Sequence, residues 1–157
     1  MVVFKQLIVF LNNNSILEKF QSGFRANHST ETALVKVVND LRLTVDAGGV
    51  AILVLLDLTA AFDTIDHAIL IHCLEHWAGL SATTLNWFRS YLSERTFHVV
   101  LGDVSSKKAD ITCGVPQGSI LGPLLFSLYM LPLGQLIRQH GVNFHSYADD
   151  TQLPPLY

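Results

Sequence analysis

Hydrophobic residues recur at the 3.6-residue spacing of a helix through the first third of the chain. Residues 2–11 predict a short amphipathic helix, and the adjoining NNNS predicts a turn. Ser29 suits the N-cap of a second helix, which the Gly48-Gly49 pair would end. The predicted apolar faces consist of Phe4, Leu7, Ile8 and Leu11 in the first helix and Leu34, Val37, Val38, Leu41 and Val45 in the second.

The pattern changes at residues 50–57, VAILVLLD, which form a continuous aliphatic and β-branched run of strand length. Such a run without alternation is typical of a central strand that is buried on both faces. It ends in Asp57. The sequence therefore predicts a buried strand that delivers a carboxylate to the edge of the core.

The middle of the chain predicts two further helices and a hairpin. Asp66 and Ser81 suit N-caps, and Gly79 would end the first of these helices. The stretch FHVVLGDVSSKKADIT predicts a hairpin around Gly102-Asp103. The apolar residues expected in the core are Ile69, Leu70, Cys73, Leu74 and Trp77 in the first helix and Leu85, Phe88 and Leu92 in the second.

The last third combines a loop, a helix and a second hairpin. CGVPQGSILGP holds three glycines and two prolines and predicts a loop. Pro123 suits the first turn of a long helix that runs to about Gln139, with Gly141 behind it. VNFHSYADDTQL predicts strand, turn, strand, with Asp149 and Asp150 at the tip. If this hairpin lies beside the strand that ends in Asp57, the three carboxylates converge.

Composition narrows the class of protein. The 157 residues are half hydrophobic and only 15% charged, which suits one domain with a sizeable core. The net charge of −3 and the pI of about 6.1 give no global basic field, so a nucleic acid would need a local patch or parts of a larger protein. Two cysteines make no disulfide framework, which favours a reducing compartment. The uncharged residues 120–137 contain glycines and prolines, so we expect a buried helix and no membrane span.

A cluster of carboxylates at the edge of an apolar core is unfavourable unless a cation neutralises it. Hard oxygen ligands suit Mg²⁺ or Mn²⁺, and two such ions about 3.5–4 Å apart form the clamp used in phosphoryl transfer. Each feature alone has a simpler interpretation, because Asp-Asp often occupies a solvated turn and an Asp often caps a strand. Their joint occurrence in this order favours the metal site.

Three motifs resemble those of reverse transcriptases in the same order: VAILVLLDLTAAFDTIDH at 50–67, GVPQGSILGPLLF at 114–126 and YADD at 147–150. Together with the upstream QSGFRANHSTETAL, they are similar to the non-LTR, LINE-type retrotransposon branch. The resemblance implies an α+β fold: a right-hand polymerase palm, with a ferredoxin-like βαββαβ sheet and helices on one face, plus partial fingers. It assigns residues 1–49 to the fingers and 50–157 to the palm, truncated before the thumb.

The same resemblance implies an RNA-directed DNA polymerase that uses an RNA template, a DNA primer and dNTPs, with two Mg²⁺ ions or Mn²⁺. Asp57 and Asp149 would hold the metal, with Asp150 and the backbone carbonyl of Leu58 assisting. Phe62 would exclude the 2′-OH of a ribonucleotide; its simpler interpretation is core packing, and both can be true. The other residues that the resemblance assigns to nucleotide, primer or template are Pro116, Gln117, Gly118, Tyr147, Arg25 and His28.

Other interpretations remain open or are disfavoured. The main alternative is an inactive retrotransposon remnant that at most binds nucleic acid or protein, because thumb and endonuclease regions are not expected here and Pro154-Pro155 would cut short the last strand. A haloacid-dehalogenase phosphatase would need a second Asp where Thr59 stands. His72 and His76 have the spacing of a metal pair but no evident third ligand.

Overall fold

The computed structural model describes residues 1–153. The predicted end of the last strand at Pro154-Pro155 lies outside the described residues. Helices and strands are mixed along the chain, as expected. The helices are α1 (Val2–Asn13), α2 (Thr30–Asp46), α3 (His67–His76), α4 (Ala82–Leu92), α5 (Gly122–Tyr129) and α6 (Leu131–Gln139). The strands are β1 (Val54–Leu56), β2 (Thr96–Phe97), β3 (Val100–Leu101), β4 (Val104–Ser105), β5 (Ala109–Asp110), β6 (His145–Tyr147) and β7 (Asp150–Leu153).

The principal sheet has three antiparallel strands in the order β1-β7-β6. A two-residue turn joins β6 to β7, and its first residue, Ala148, has a φ of 56°. A positive φ at that position matches the twist of two-residue hairpins. The predicted strand, turn and strand are therefore confirmed. Three described strands do not by themselves establish a ferredoxin-like sheet.

Strand β1 is more exposed than the sequence predicts. Val54, Leu55 and Leu56 all lie on the surface, and only three residues of the apolar run form the strand. The expectation of burial on both faces was wrong. Continuous hydrophobicity reports what a strand could bury, whereas burial requires another element to cover it. β7 pairs with one edge of β1, while Val54, Leu55 and Leu56 remain 43%, 67% and 43% exposed.

The hydrophobic core lies among the helices. Helix α3 packs against α4 and α5, and α5 supplies Leu125 and Phe126, which are almost completely buried. Leu7 and Leu11 of α1 belong to the same cluster, as predicted for the first helix. Asp66 caps α3 by accepting a hydrogen bond from the backbone N–H of Ile69 at 2.9 Å. Ile69 itself is exposed, whereas the other predicted core residues are buried or half-buried: Leu70, Cys73, Leu74, Trp77, Leu85, Phe88 and Leu92.

Helix α2 begins and ends as predicted but buries a different face. Ser29 forms a capping box with Thr32, and the helix ends just before Gly48, whose φ is 81°. The buried residues are Ala33, Val37 and Thr44. Three of the five residues predicted to be apolar contacts are exposed instead: Leu34, Val38 and Val45. The helix rests on β6 over a narrow stripe, so local hydrophobicity did not identify the side that packs.

The single long helix predicted from Pro123 to Gln139 is two helices. Helix α5 ends at Tyr129 and α6 begins at Leu131, with Met130 between them. Pro132 stands in the first turn of α6, where a backbone N–H would have no partner within the helix. In the interior of a longer helix it would remove a backbone hydrogen bond, so α5 could not continue through it. The hairpin around Gly102-Asp103 is confirmed as the β3–β4 pair, and β2–β5 pairs the chain on either side of it.

Candidate functional site

The carboxylates of the first and third motifs lie at one end of the three-stranded sheet. Asp57 directly follows β1, whose last residue, Leu56, pairs with Thr151 of β7. Because Asp150 precedes Thr151, one further step of the antiparallel register sets Asp57 beside Asp150. Asp149 is the second residue of the β6–β7 turn. The two motifs therefore meet on adjacent strands, as predicted.

The three carboxylates are open to solvent. Asp57 and Asp150 are exposed and Asp149 is half-buried. Within residues 1–153 none of them forms an ion pair, and no three His, Cys, Asp or Glu side chains stand close enough to hold a metal ion. Mg²⁺ typically takes one or two carboxylates together with substrate phosphates. The donor chemistry thus fits Mg²⁺, whereas the convergence of all three carboxylates stays a prediction.

The glycine-rich loop of the second motif docks on the chain that comes after Asp57. The N–H of Gly114 donates to the Ile65 carbonyl at 2.7 Å, and the N–H of Val115 donates to the Phe62 carbonyl at 2.9 Å. Gly114 has a φ of 83°, and a Cβ there would lie 2.9 Å from the carbonyl oxygen of Asp63. A side chain would therefore force the two backbones apart. This close approach joins the first and second motifs into one unit.

Phe62 and Gln117 make contacts that link these two motifs. The Phe62 ring is half-buried, with its centroid 5.8 Å from that of Phe24 and 5.0 Å from that of Phe126. Gln117 is exposed, and its Nε2 donates to Asp63 Oδ1 at 2.8 Å. Core packing of Phe62 is thus part of its role. The contacts of both residues with a nucleotide or template stay predictions.

Four further predicted residues lie in the β6–β7 hairpin, in the segment after β1 and in the docked loop. Tyr147 pairs with Asp150 across the hairpin and is half-buried. Leu58 is exposed next to Asp57. Pro116 and Gly118 form the turn of the docked loop, where the Pro116 carbonyl accepts from the N–H of Ser119 at 3.1 Å and Gly118 has a φ of 73°.

Arg25 has a structural use that the sequence did not reveal. Its Nη1 donates to the carbonyls of Glu18 at 2.9 Å and Gln21 at 3.2 Å, so the guanidinium braces the loop after α1. His28 is exposed, and its Nδ1 lies 2.9 Å from the carbonyl oxygen of Ala26. Contact of either residue with template or phosphate stays a prediction.

Gln21 contacts the β6–β7 turn, although sequence analysis assigned it no role. Its Nε2 donates to the Ala148 carbonyl at 2.8 Å, and its Oε1 accepts from the Ala148 N–H at 2.8 Å. The N–H of Gly23 donates to the same Oε1 at 2.8 Å. Gln21 stands in the QSGF stretch that supported the resemblance, and this was the only feature of the sequence that pointed to a role for it.

A buried polar layer lies behind the turn. His145 Nε2 is 3.0 Å from Ser22 Oγ, and Ser146 Oγ is 3.0 Å from Thr151 Oγ1. Burial lowers the pKa of His145 below its ordinary value, and the charge of Lys36 lowers that pKa further. The physical cause is desolvation, which disfavours the charged imidazolium relative to the neutral ring. This layer connects the strands of the site to α2 and to the segment after α1.

Two other candidate features carry no catalytic arrangement. The rings of His72 and His76 stack at 4.2 Å, and no third ligand joins them among residues 1–153. Cys73 is buried, which raises the pKa of its thiol, and Cys113 is exposed and unpaired. In the same part of the chain, no helix is both long enough and apolar enough to span a membrane.

Comparison with known proteins agrees with the three motifs. A family model described as reverse transcriptase (RNA-dependent DNA polymerase) matches residues 2–153. The chain is 31% identical over 156 residues to the RNA-directed DNA polymerase from mobile element jockey of Drosophila melanogaster, across 96% of this chain and 17% of that protein. It is 35% identical over 124 residues to a probable RNA-directed DNA polymerase from transposon X-element of the same species, across 79% of this chain and 13% of that protein.

The fold is also similar to that of a solved structure. Telomerase from Candida albicans, in complex with the TWJ fragment of telomeric RNA, superposes with a TM-score of 0.71 at 14% identity. The match covers 99% of this chain and 30% of that one. The chain thus spans less than a third of each of these proteins. The matched motifs, the family model and the relatives together establish that the chain belongs to the reverse transcriptase (RNA-dependent DNA polymerase) family, among the mobile-element polymerases of the non-LTR, LINE-type branch.

Proposed function

We propose that this chain forms the catalytic core of an RNA-directed DNA polymerase, which extends a DNA primer along an RNA template with dNTPs. One observation carries the proposal. Asp57 and the Asp149-Asp150 turn lie at the same end of adjacent antiparallel strands, and the 114–119 loop is hydrogen-bonded to Phe62 and Ile65 in the segment that follows Asp57. Solvent-accessible carboxylates, with a glycine-rich loop docked on the same motif, suit a phosphate-bearing substrate.

The carboxylates would serve as the metal ligands of this reaction. Asp57 and Asp149 would hold two Mg²⁺ ions or Mn²⁺, with Asp150 and the Leu58 carbonyl assisting. The bound metal would lower the pKa of the primer 3′-hydroxyl and neutralise the charge that develops on the triphosphate. The solvent exposure of Asp57 and Asp150 favours this use, because a substrate that carries phosphates can reach them.

The other residues would position substrate around the carboxylates. The Phe62 ring, supported by Phe126, would lie under the sugar and leave no room for a 2′-OH. The loop containing Pro116, Gln117 and Gly118 would approach the nascent base pair, and Tyr147 would lie beside the primer terminus. Arg25 would hold its loop through two carbonyls while its remaining donors face template or phosphate.

We further propose that residues 50–157 form the palm and residues 1–49 part of the fingers. Apart from the β2–β5 and β3–β4 pairs between α4 and α5, the order β1, helices, β6, β7 corresponds to the first four elements of a βαββαβ sheet. The β1-β7-β6 order supports this arrangement. Leu7 and Leu11 share the helical core with the palm segment, so the two parts would act as one support for the site.

The test is primer extension by the purified chain on an RNA template with dNTPs and Mg²⁺. We expect extension by the wild-type chain and a loss of at least about 100-fold in Asp57→Asn and Asp149→Asn, because metal stabilisation of a phosphoryl-transfer transition state is worth several kcal/mol. Asp103→Asn is the matched control, since Asp103 is an exposed turn aspartate in the β3–β4 hairpin. It should extend the primer at the wild-type rate.

The alternative of an inactive remnant predicts a different outcome. A folded wild-type chain that extends no primer would overturn polymerase activity for this chain. Retained binding of a labelled primer–template duplex would then support a nucleic-acid-binding remnant. Equal extension by the wild-type, Asp57→Asn and Asp149→Asn chains would contradict the assignment of the carboxylates.

A further inference from the structure

The Gln21 carboxamide is the centre of three hydrogen bonds. Two of them join both polar backbone groups of Ala148, and the third joins the N–H of Gly23. Gln21 is only 5% exposed, so these bonds form away from water. A buried amide with three partners is costly to disturb, because each lost partner leaves a donor or acceptor unsatisfied. The contact therefore joins the segment after α1 to the β6–β7 turn with a defined geometry.

The bonds to Ala148 matter because Asp149 is the next residue in the chain. The Ala148 carbonyl and the Asp149 N–H belong to the same peptide plane, which is rigid. Fixing the N–H and the C=O of Ala148 fixes both peptide planes that flank its Cα. Ala148 also has a φ of 56°, a conformation that residues other than glycine rarely adopt. Gln21 thus holds both polar backbone groups of a turn residue that has a positive φ and directly precedes Asp149.

Gly23 reinforces the same contact. A Cβ on Gly23 would collide with the backbone N of Ala148 and lie 2.7 Å from its Cα. Only glycine allows the two backbones to approach this closely. On the adjoining residues, the Ser22 N–H donates to the Ser146 carbonyl and the Ser146 N–H donates to the Phe20 carbonyl, each at 2.8 Å. The segment around Gln21 is therefore hydrogen-bonded both to β6 and to the turn that follows it.

We propose that Gln21 is a positioning residue for Asp149, and that Gly23 makes its approach possible. This inference rests on the proposed function, in which Asp149 holds a divalent cation. Ligands must be held within about 0.5 Å of their productive positions by the residues behind them. Gln21 acts through the Ala148 backbone and touches neither metal nor substrate. Loss of its carboxamide would loosen the turn and weaken the cation site.

The test compares Mn²⁺ binding to the wild-type chain with binding to Gln21→Met, which keeps the side-chain length and removes all three hydrogen bonds. Calorimetry should give a Kd about 10–100-fold higher in the variant, the range typical when a group that orients a metal ligand is lost. Gln135→Met is the matched control, since Gln135 is exposed on α6, and its Kd should equal that of wild type. Asp149→Asn measures the loss of the ligand itself.

Amide hydrogen exchange separates positioning from general stability. In Gln21→Met, the Ala148 amide should exchange faster while core amides of α3 and α5 keep their protection. Gly23→Ala should give the same local pattern, because its Cβ displaces the Ala148 backbone. If Gln21→Met does not fold, Gly23→Ala carries the test.

Two failures can be told apart. Unchanged Mn²⁺ affinity in Gln21→Met, with Asp149→Asn weakened, would overturn the positioning role and leave the metal site of the proposed function intact. Unchanged affinity in both variants would overturn the metal site and the positioning role together. A uniform rise in exchange across the core would reduce Gln21 to a residue that stabilises the fold.

Discussion

His145 shows at the scale of one residue how the site is coupled to the interior. It begins β6, two residues before Tyr147, and it is 7% exposed. Ser22 Oγ lies 3.0 Å from its Nε2, and its Nδ1 has no hydrogen-bond partner among the described residues. Burial and the charge of Lys36 both lower its pKa, while Asp40 opposes them. Protonation of this ring would therefore disturb the strand that leads into the β6–β7 turn.

We predict that stability falls on acidification because of His145. Its folded-state pKa lies below the ordinary 6.5, so the unfolded state binds a proton first as pH falls. The contribution of His145 to the free energy of unfolding is fully present above its ordinary pKa. It is lost as the pH falls through the lower pKa of the folded state. Urea unfolding between about pH 8 and pH 5 should show this loss in wild type and a flatter profile in His145→Asn. Exposed His140→Asn should keep the wild-type slope, and equal slopes in all three proteins would refute the assignment.

At the scale of elements, helix and turn boundaries depend on residues next to them in the chain. Ser29, Asp66 and Gly48 lie at the helix ends for which their chemistry predicts them. The break at Met130 results from Pro132, and the periodic pattern alone did not reveal it. The buried side of a helix was less predictable than its ends. The side of α2 that is buried depends on its contact with β6, which is about a hundred residues away in the chain.

The capping box of α2 gives a prediction at this scale. Ser29 Oγ accepts from the Thr32 N–H at 3.3 Å, and Thr32 Oγ1 accepts from the Ser29 N–H at 3.0 Å. Ser29→Ala should lower the free energy of unfolding by about 1 kcal/mol. Ser81 precedes α4 without a side-chain capping bond, so Ser81→Ala should cost less than about 0.5 kcal/mol. Urea denaturation of both variants measures the difference, and equal losses would show that the Ser29 bonds contribute nothing net.

At the scale of the whole molecule, the apolar residues divide between a helical core and an exposed strand. Leu125 in α5 is 0% exposed, whereas Leu55 in β1 is 67% exposed. Both stand in strongly apolar stretches, and the stretch of β1 is the more regular strand pattern. Hydrophobicity along the chain therefore did not distinguish the residue that stabilises the fold from the one that does not.

We predict that substitutions at these two positions differ sharply in cost. Leu125→Ala should lower the free energy of unfolding by about 2–5 kcal/mol through lost burial and a residual cavity. Leu55→Thr keeps a strand-forming residue on the surface and should change stability by no more than about 0.5 kcal/mol. Chemical denaturation monitored by circular dichroism gives both values. A large loss in Leu55→Thr would mean that β1 is covered in solution.

The sequence by itself determined the caps, the turns, the order of the motifs and hence the family, because each depends on residues close together in the chain. The residues that bear the carboxylates and the strands that carry them were predictable for the same reason. Tertiary structure alone decided that β1 stays exposed, which side of α2 packs, and that Gln21 holds Ala148 across 127 positions of sequence. These features arise where segments that are far apart in the chain pack together. The free energy of that packing depends on which apolar surfaces are buried and on whether the buried polar groups form hydrogen bonds.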